Sequence, residues 1–180
     1  MGKEGRVDVT GDELWNLGWF NFVVYWIWTL IRVLIDPFLP RSWFNPESWP
    51  FRLAAWEDGG EFYRRALHIE RWKDHLPVFA GGTGFDKKHL TARDPQYLER
   101  FITETCRGES NHLRAIGSVV VMRLWTPFAL WIVLLMIAAL GNLPFVAIQR
   151  YNRPRLQRAL ALRERHAELE RYGEDGLQPA

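Results

Sequence analysis

Between Trp15 and Ile35 the chain is apolar almost throughout, broken only by Asn16, Asn21 and Arg32, and it ends at Asp36-Pro37. About 20 such residues are what a helix needs to cross a hydrocarbon core, and proline ends the pattern. The run is long, Trp-rich and lacks a small-x-small exit, so it reads as a retained transmembrane helix rather than a cleaved signal. Arg32, near its end, is expected to snorkel to the headgroups. A second apolar region, Ile116 to Leu140, is interrupted by Arg123 and Pro127 and extended by Leu143 to Ile148. It exceeds one straight span and falls short of two, so it is expected to kink or re-enter, with Gly141-Asn142 at the turn.

Ten Trp and eleven Phe in 180 residues exceed what a soluble core needs, and Trp favours the membrane interface. The mean hydropathy of −0.20 averages these spans with very polar segments. The 23 Lys and Arg against 21 Asp and Glu leave a net charge of +2, which names no partner and gives no sign of nucleic-acid binding. One cysteine excludes an internal disulfide framework. The expected fold is an all-α integral membrane protein. It is a small helical bundle with one N-terminal transmembrane helix, interfacial amphipathic helices and a kinked or re-entrant second apolar region, multi-pass in the cell membrane.

Met1 to Asp12 reads as a polar tail. Prolines 37, 40, 46 and 50, interleaved with Phe38, Trp43, Phe44, Trp49 and Phe51, make a loop expected to lie along the interface. After Gly59-Gly60, residues Phe62, Ala66, Ile69, Trp72 and Leu76 share one helical face, which predicts an amphipathic helix over Glu61 to Leu76 stopped by Pro77. His68 and His75 sit at the margin of that face and Lys73 within it. Gly81-Gly82-Thr83-Gly84 lacks the spacing of a phosphate loop and reads as a connector.

The chemistry concentrates in Glu104-Thr105-Cys106-Arg107-Gly108-Glu109-Ser110-Asn111-His112. Wound as a helix, this run places Leu98, Phe101, Ile102, Leu113 and Ile116 on one apolar arc that also contains Glu109 and His112. Glu104, Arg107 and Asn111 form an adjoining polar stripe. A buried carboxylate must be paired, protonated or used, so Glu109 and His112, at i and i+3, form a candidate acid–base pair in which the carboxylate orients the imidazole. A helix-locking ion pair is the plainer alternative. Glu-x-x-His also recurs in di-iron sites, for which Glu104, Glu109, His112 and His68 supply four ligands, but only one of the two required motifs is present and no cofactor is expected. Cys106 reads as a small core hydrophobe. Arg107, Arg150 and Arg153 suit a carboxylate or phosphate on a donor. From Gln149 a basic cluster runs to Arg155, and Leu156 to Tyr172 reads as a water-exposed helix. This divides the chain into 1–156, membrane-embedded, and 157–180, a charged helix and tail.

Three blocks, His68-Ile69-Glu70-Arg71-Trp72-Lys73-Asp74-His75-Leu76-Pro77, Phe101 to His112, and Asn142-Leu143-Pro144-Phe145 with Ile148 to Leu156, stand in that order. Together they resemble the glycosyl-4,4'-diaponeurosporenoate acyltransferase family, with Gly108 where the family pattern has Ala. The resemblance implies transfer of a fatty acyl group to a sugar hydroxyl of a glycosylated carotenoid or related glycolipid. The implied donor is lipid-linked: acyl-CoA, acyl carrier or phospholipid. His112, Glu109, Glu104 and His68 stand as the catalytic candidates on spacing and chemistry, with His68 an alternative base. Arg107, Asn111, Trp72, Lys73, Gln149, Arg150, Asn152 and Arg153 are candidates for substrate binding. A metal-dependent lipid enzyme and a non-catalytic membrane scaffold are the competing readings.

Overall fold

The computed structural model describes residues 10–76 and 95–175, so the tail before Thr10 and the Gly81–Gly84 connector lie outside the described residues. Among the described residues four α-helices order the fold: α1, Gly11–Ile35; α2, Glu61–Leu67; α3, Pro95–Val121; and α4, Phe128–Asp175. Helix α1 begins in a capping box, in which Thr10 Oγ1 accepts from the Glu13 N–H and the Glu13 carboxylate accepts from the Thr10 N–H. Gly11 and Asp12 therefore belong to the first turn of the helix rather than to a tail.

The bundle is inverted relative to a soluble protein. On α1 the buried residues are Asn21 and Arg32, whereas Trp15, Trp19, Phe22, Trp26, Ile27, Leu30 and Leu34 are exposed. The first half of α4 likewise exposes Phe128, Val133, Met136, Ile137 and Leu140. Apolar side chains on the outside and polar ones within is what a hydrocarbon surround favours. Among the described residues two helical segments, Gly11–Phe38 and Phe128–Tyr172, are long and apolar enough to cross a membrane.

Helices α3 and α4 form an antiparallel hairpin, the main helix pairing of the fold, and α1 packs against α3. The hairpin turns at Leu124–Pro127, not at the expected Gly141-Asn142. Pro127 disfavours helix at Thr126, and Trp131 Nε1 donates across the turn to the Val119 carbonyl at 2.9 Å. Asn21 of α1 braces this tip, its Oδ1 accepting from Trp125 Nε1 at 3.0 Å and from Thr126 Oγ1 at 3.2 Å. Gly141 and Asn142 lie inside α4, which runs for 48 residues, roughly 72 Å. The anticipated separate helix from Leu156 is the far end of this same α4, and from Ala161 to Tyr172 it is exposed on all sides.

The expected amphipathic helix Glu61–Leu76 stops at Leu67. His68 adopts a left-handed conformation (φ 47°) and its N–H caps the Tyr63 carbonyl, after which Ile69–Arg71 and Lys73–His75 are single 3₁₀ turns. The break turns Ile69, fully buried, and Trp72 onto Tyr63, Ala147 and Tyr151. In the proline-rich loop, Phe44 and Phe51 fold inward onto Cys106, while Phe38, Trp43, Trp49 and Trp56 stay exposed. Gly60, at φ 94°, sits against α4 where a Cβ would meet Pro154 Cγ at 3.1 Å and the Tyr151 carbonyl at 3.3 Å. Both the dihedral and the space select glycine there.

Candidate active site

Glu109 is fully buried on α3, as its place on the apolar arc predicts, but its partners are arginines of α4 and not His112. Its Oε1 accepts from Arg150 Nη1 at 2.5 Å and its Oε2 from Arg153 Nη2. Arg150 extends the network by forking onto Glu57, with Nε to Oε1 at 2.7 Å and Nη2 to Oε2 at 2.6 Å. Glu57, also fully buried, takes the Ala54 N–H at 2.6 Å and the Tyr63 hydroxyl at 2.5 Å as well. Arg153 is 1% exposed and spends its remaining donors on Thr105 Oγ1 at 3.0 Å and on the Phe51 carbonyl. Two acids and two guanidiniums thus close a neutral, hydrogen-bonded knot that fastens the 50–63 loop to α3 and α4. All three Arg153 nitrogens are thus engaged within the protein. Burial alone would raise the Glu57 pKa, but the Arg150 fork, the Tyr63 hydroxyl and the Ala54 N–H more than offset it and hold the carboxyl below its ordinary range.

His112 has a different holder. Its Nδ1 lies 2.9 Å from Asn142 Oδ1, and its ring stacks on Phe145 with centroids 4.7 Å apart and planes 7° from parallel. Asn142 Nδ2 donates to the Ala138 carbonyl at 2.8 Å, with the Tyr25 hydroxyl at 3.4 Å, so the amide oxygen is the atom that faces the imidazole. The proton of a neutral His112 therefore sits on Nδ1, and Nε2 keeps its lone pair. The partner of the imidazole is thus Asn142 and not Glu109. Gln149 lies on the same flank, its side chain against Gly108, where an added Cβ would meet Gln149 Nε2 at 3.2 Å.

The remaining candidates scatter. Arg107 donates to the Asp36 carbonyl, stacks on Phe44 at 4.5 Å and meets Glu104 at 3.5 Å. Asn111 accepts from Arg32 through its carbonyl (2.6 Å) and its Oδ1 (2.5 Å), so Arg32 points into the bundle and does not snorkel. Trp72 Nε1 donates to the Leu67 carbonyl at 2.9 Å, and Lys73 pairs with its neighbour Asp74 at 2.7 Å. Asn152 is half-buried on α4. His68 is exposed at its turn. Glu104, Glu109, His112 and His68 are consequently not gathered into one ligand set, and no group of three His, Cys, Asp or Glu suited to a metal occurs among the described residues. Burial pushes the Cys106 thiol up to about 11, which leaves it a poor nucleophile.

Asn142, Phe145 and Glu57 are the site residues that periodicity missed. A polar Asn142 inside an apolar run was the available signal, read as a turn. Glu57 carried none, being one of 21 acids.

An inverted helical bundle that encloses an imidazole with one free nitrogen has the character of a small membrane enzyme. The family is set by sequence: residues 40–162 match the profile of glycosyl-4,4'-diaponeurosporenoate acyltransferases, and the chain belongs to that family and is an acyltransferase. Proteins of that name from Staphylococcus aureus strains N315 and USA300 are each 25% identical to it over 148 residues, covering 81% of this chain and 89% of theirs. No solved structure matches it.

Proposed function

We propose that this protein is a multi-pass membrane O-acyltransferase that esterifies a sugar hydroxyl of a glycosylated carotenoid or a related glycolipid, with His112 as general base. The observation that carries the reading is the 2.9 Å contact of His112 Nδ1 with Asn142 Oδ1, an acceptor that favours the proton on Nδ1 and leaves Nε2 to accept another. In the reaction, Nε2 takes the proton of the sugar hydroxyl as its oxygen attacks the acyl carbonyl carbon. The bond from that carbon to the donor's leaving atom then breaks, and the leaving atom recovers the proton from His112. The relatives' name supplies the acceptor class, a glycosylated diaponeurosporenoate, and family membership supplies the acyl transfer.

In this reading α1 crosses the bilayer and the α3–α4 hairpin enters and returns, with Arg123 at its tip in the far headgroups. That arrangement puts the Glu57–Arg150–Glu109–Arg153 knot, the basic run to Arg155 and the end of α4 on one face. Both segments rich in Lys and Arg are then cytoplasmic. A site between lipid-facing helices admits two lipid substrates laterally and keeps water, the competing nucleophile, scarce. Full-length protein in vesicles, supplied with a lipid-linked acyl donor and a glycosylated carotenoid, should form the ester. The same vesicles carrying His112→Ala should not, and ester formation undiminished by that change would refute the assignment.

A further inference from the structure

Arg32 carries a charge into the bundle without a hydrogen bond to any carboxylate among the described residues. It is 4% exposed, and its hydrogen bonds all go to neutral oxygens: the Asn111 carbonyl and Oδ1, and Thr29 Oγ1 at 3.1 Å. Its Nε has no hydrogen-bond partner. One turn further along α1, Asp36 is already committed, its Oδ1 to Arg114 at 2.5 Å and its carbonyl to Arg107. Arg107, 8% exposed, also has a partnerless Nε, which meets Glu104 as a charge at 3.5 Å without forming a hydrogen bond. Arg32 in the last turn of α1, its C-cap Asp36, and positions 107, 111 and 114 of α3 lie along two packed helices, so with Glu104 three guanidiniums meet two carboxylates at one junction. A buried cation whose nearest carboxylate is bonded to another arginine, and which lacks a full set of acceptors, is costly, and an incoming anion relieves both deficits.

We propose that this α1–α3 junction binds the phosphate of a phospholipid, with Arg32 as the principal ligand and Arg114, a third exposed, as the entrance. Guanidinium forks match the several oxygens of a phosphate better than a single carbonyl. The depth is right for a headgroup: Phe38, two residues past Asp36, is 85% exposed, and Trp43 follows it outside, the aromatic marks of an interface. The surface alongside is apolar, with Ile31, Val33, Leu34 and Ile35 of α1 exposed where acyl chains would lie, which favours a lipid over free phosphate. The inference rests on the membrane placement proposed above. It also bears on chemistry, since Arg32 holds Asn111, the neighbour of His112 in the chain, and so brings an acyl lipid to the base.

The test is thermal unfolding of the full-length protein in detergent, titrated separately with dioleoylphosphatidylglycerol, dioleoylglycerol and inorganic phosphate. Phosphatidylglycerol should raise the Tm of the wild type, and the apparent affinity should fall at least tenfold in Arg32→Gln, fall less in Arg32→Lys, and stay unchanged in the surface control Arg163→Gln. Dioleoylglycerol should give no shift. Equal affinity in wild type and Arg32→Gln would overturn the site. Should neither Arg32 variant be recovered folded, equal stabilisation of the wild type by dioleoylglycerol and phosphatidylglycerol would overturn it as well. Saturation by inorganic phosphate alone would show a free-anion site and defeat the lipid assignment. His112→Ala should keep the lipid affinity while losing acyl transfer, so the failure of one reading is separable from the failure of the other.

Discussion

His112 Nδ1 and Asn142 Oδ1 meet at 2.9 Å across the α3–α4 hairpin, joining residues thirty apart in the chain. The contact holds the imidazole by an uncharged acceptor. A carboxylate in that place would favour the imidazolium, whereas an amide fixes the tautomer and leaves a neutral base. His112→Ala should therefore lower acyl transfer by about two to four orders of magnitude with normal yield, the usual contribution of a positioned general base. Asn142→Leu should lose less, and the double variant should be hardly worse than His112→Ala, because residues acting as one unit are not additive. Full turnover in His112→Ala together with an inactive His68→Ala would move the base to His68.

Glu109 and Arg153 should behave as structural residues. Each is buried and each satisfies the other, and removing one partner of such a pair costs about 3–5 kcal/mol. Glu109→Gln and Arg153→Lys are expected to lower the thermal stability of the purified protein sharply, while turnover per folded molecule stays near the wild-type value. Normal melting combined with lost turnover would return these residues to a role in substrate binding.

The Glu57 carboxyl gives the knot a pH dependence. Its folded-state pKa is depressed, so its stabilising contribution is present above the unfolded carboxylate value, about 4.3, and is lost as the pH falls from there through the folded value. Melting temperature should be flat toward neutrality with respect to this group and should drop on acidification below about pH 4. Glu57→Gln should start lower and show a shallower acid limb. An acid limb of unchanged steepness in that variant would assign the effect to other carboxylates.

Two glycines separate backbone need from spare room. At Gly60 a side chain meets Pro154 and backbone of Tyr151 at a positive φ, so Gly60→Ala should cost on the order of 1–3 kcal/mol. At Gly108, within helix α3, the atoms in the way belong to the flexible Gln149 side chain, and Gly108→Ala should fold normally. Comparison of the two melting curves checks the contrast, and equal losses would contradict it.

The apolar arc of α3 was readable in the sequence in part, because periodicity reports which residues share a face: Leu98, Ile102 and Glu109 are buried as expected, whereas Phe101, Leu113 and Ile116 are only half-buried and Arg107 of the polar stripe is buried. It does not report what stands opposite. Glu109 and His112, at i and i+3, differ by about 60° around the helix, enough for one to meet Arg150 and Arg153 and the other Asn142. The hairpin turn was misplaced for a related reason. Gly141-Asn142 resembles a break, yet Asn142 satisfies its amide on Ala138 one turn back and on His112 of the facing helix, and so costs α4 little. Arg32 at the end of an apolar run was indistinguishable from a snorkelling cation until Asn111 was found beside it. Family motifs carried what periodicity lacked, since the block from Asn142 to Arg155 contains both the holder of His112 and the cations of the knot.

The far end of α4 should be dispensable up to a definable point. Arg158 donates to the Gly59 carbonyl at 3.0 Å and Gln157 to Glu47 at 2.8 Å, so residues through Arg158 still clamp the loop that carries Glu57. The family match ends at residue 162, and from Ala161 to Tyr172 the helix is exposed. A chain ending at Leu162 should insert, melt and turn over like the full-length protein, because a solvated helix end contributes little beyond its own hydrogen bonds. A chain ending at Pro154 removes the Gln157 and Arg158 clamps together with the Arg155 stack on Tyr151, 3.5 Å from the ring, and should lose stability. Loss of turnover in the longer truncation at normal yield would show that the exposed helix takes part in the reaction or in its regulation.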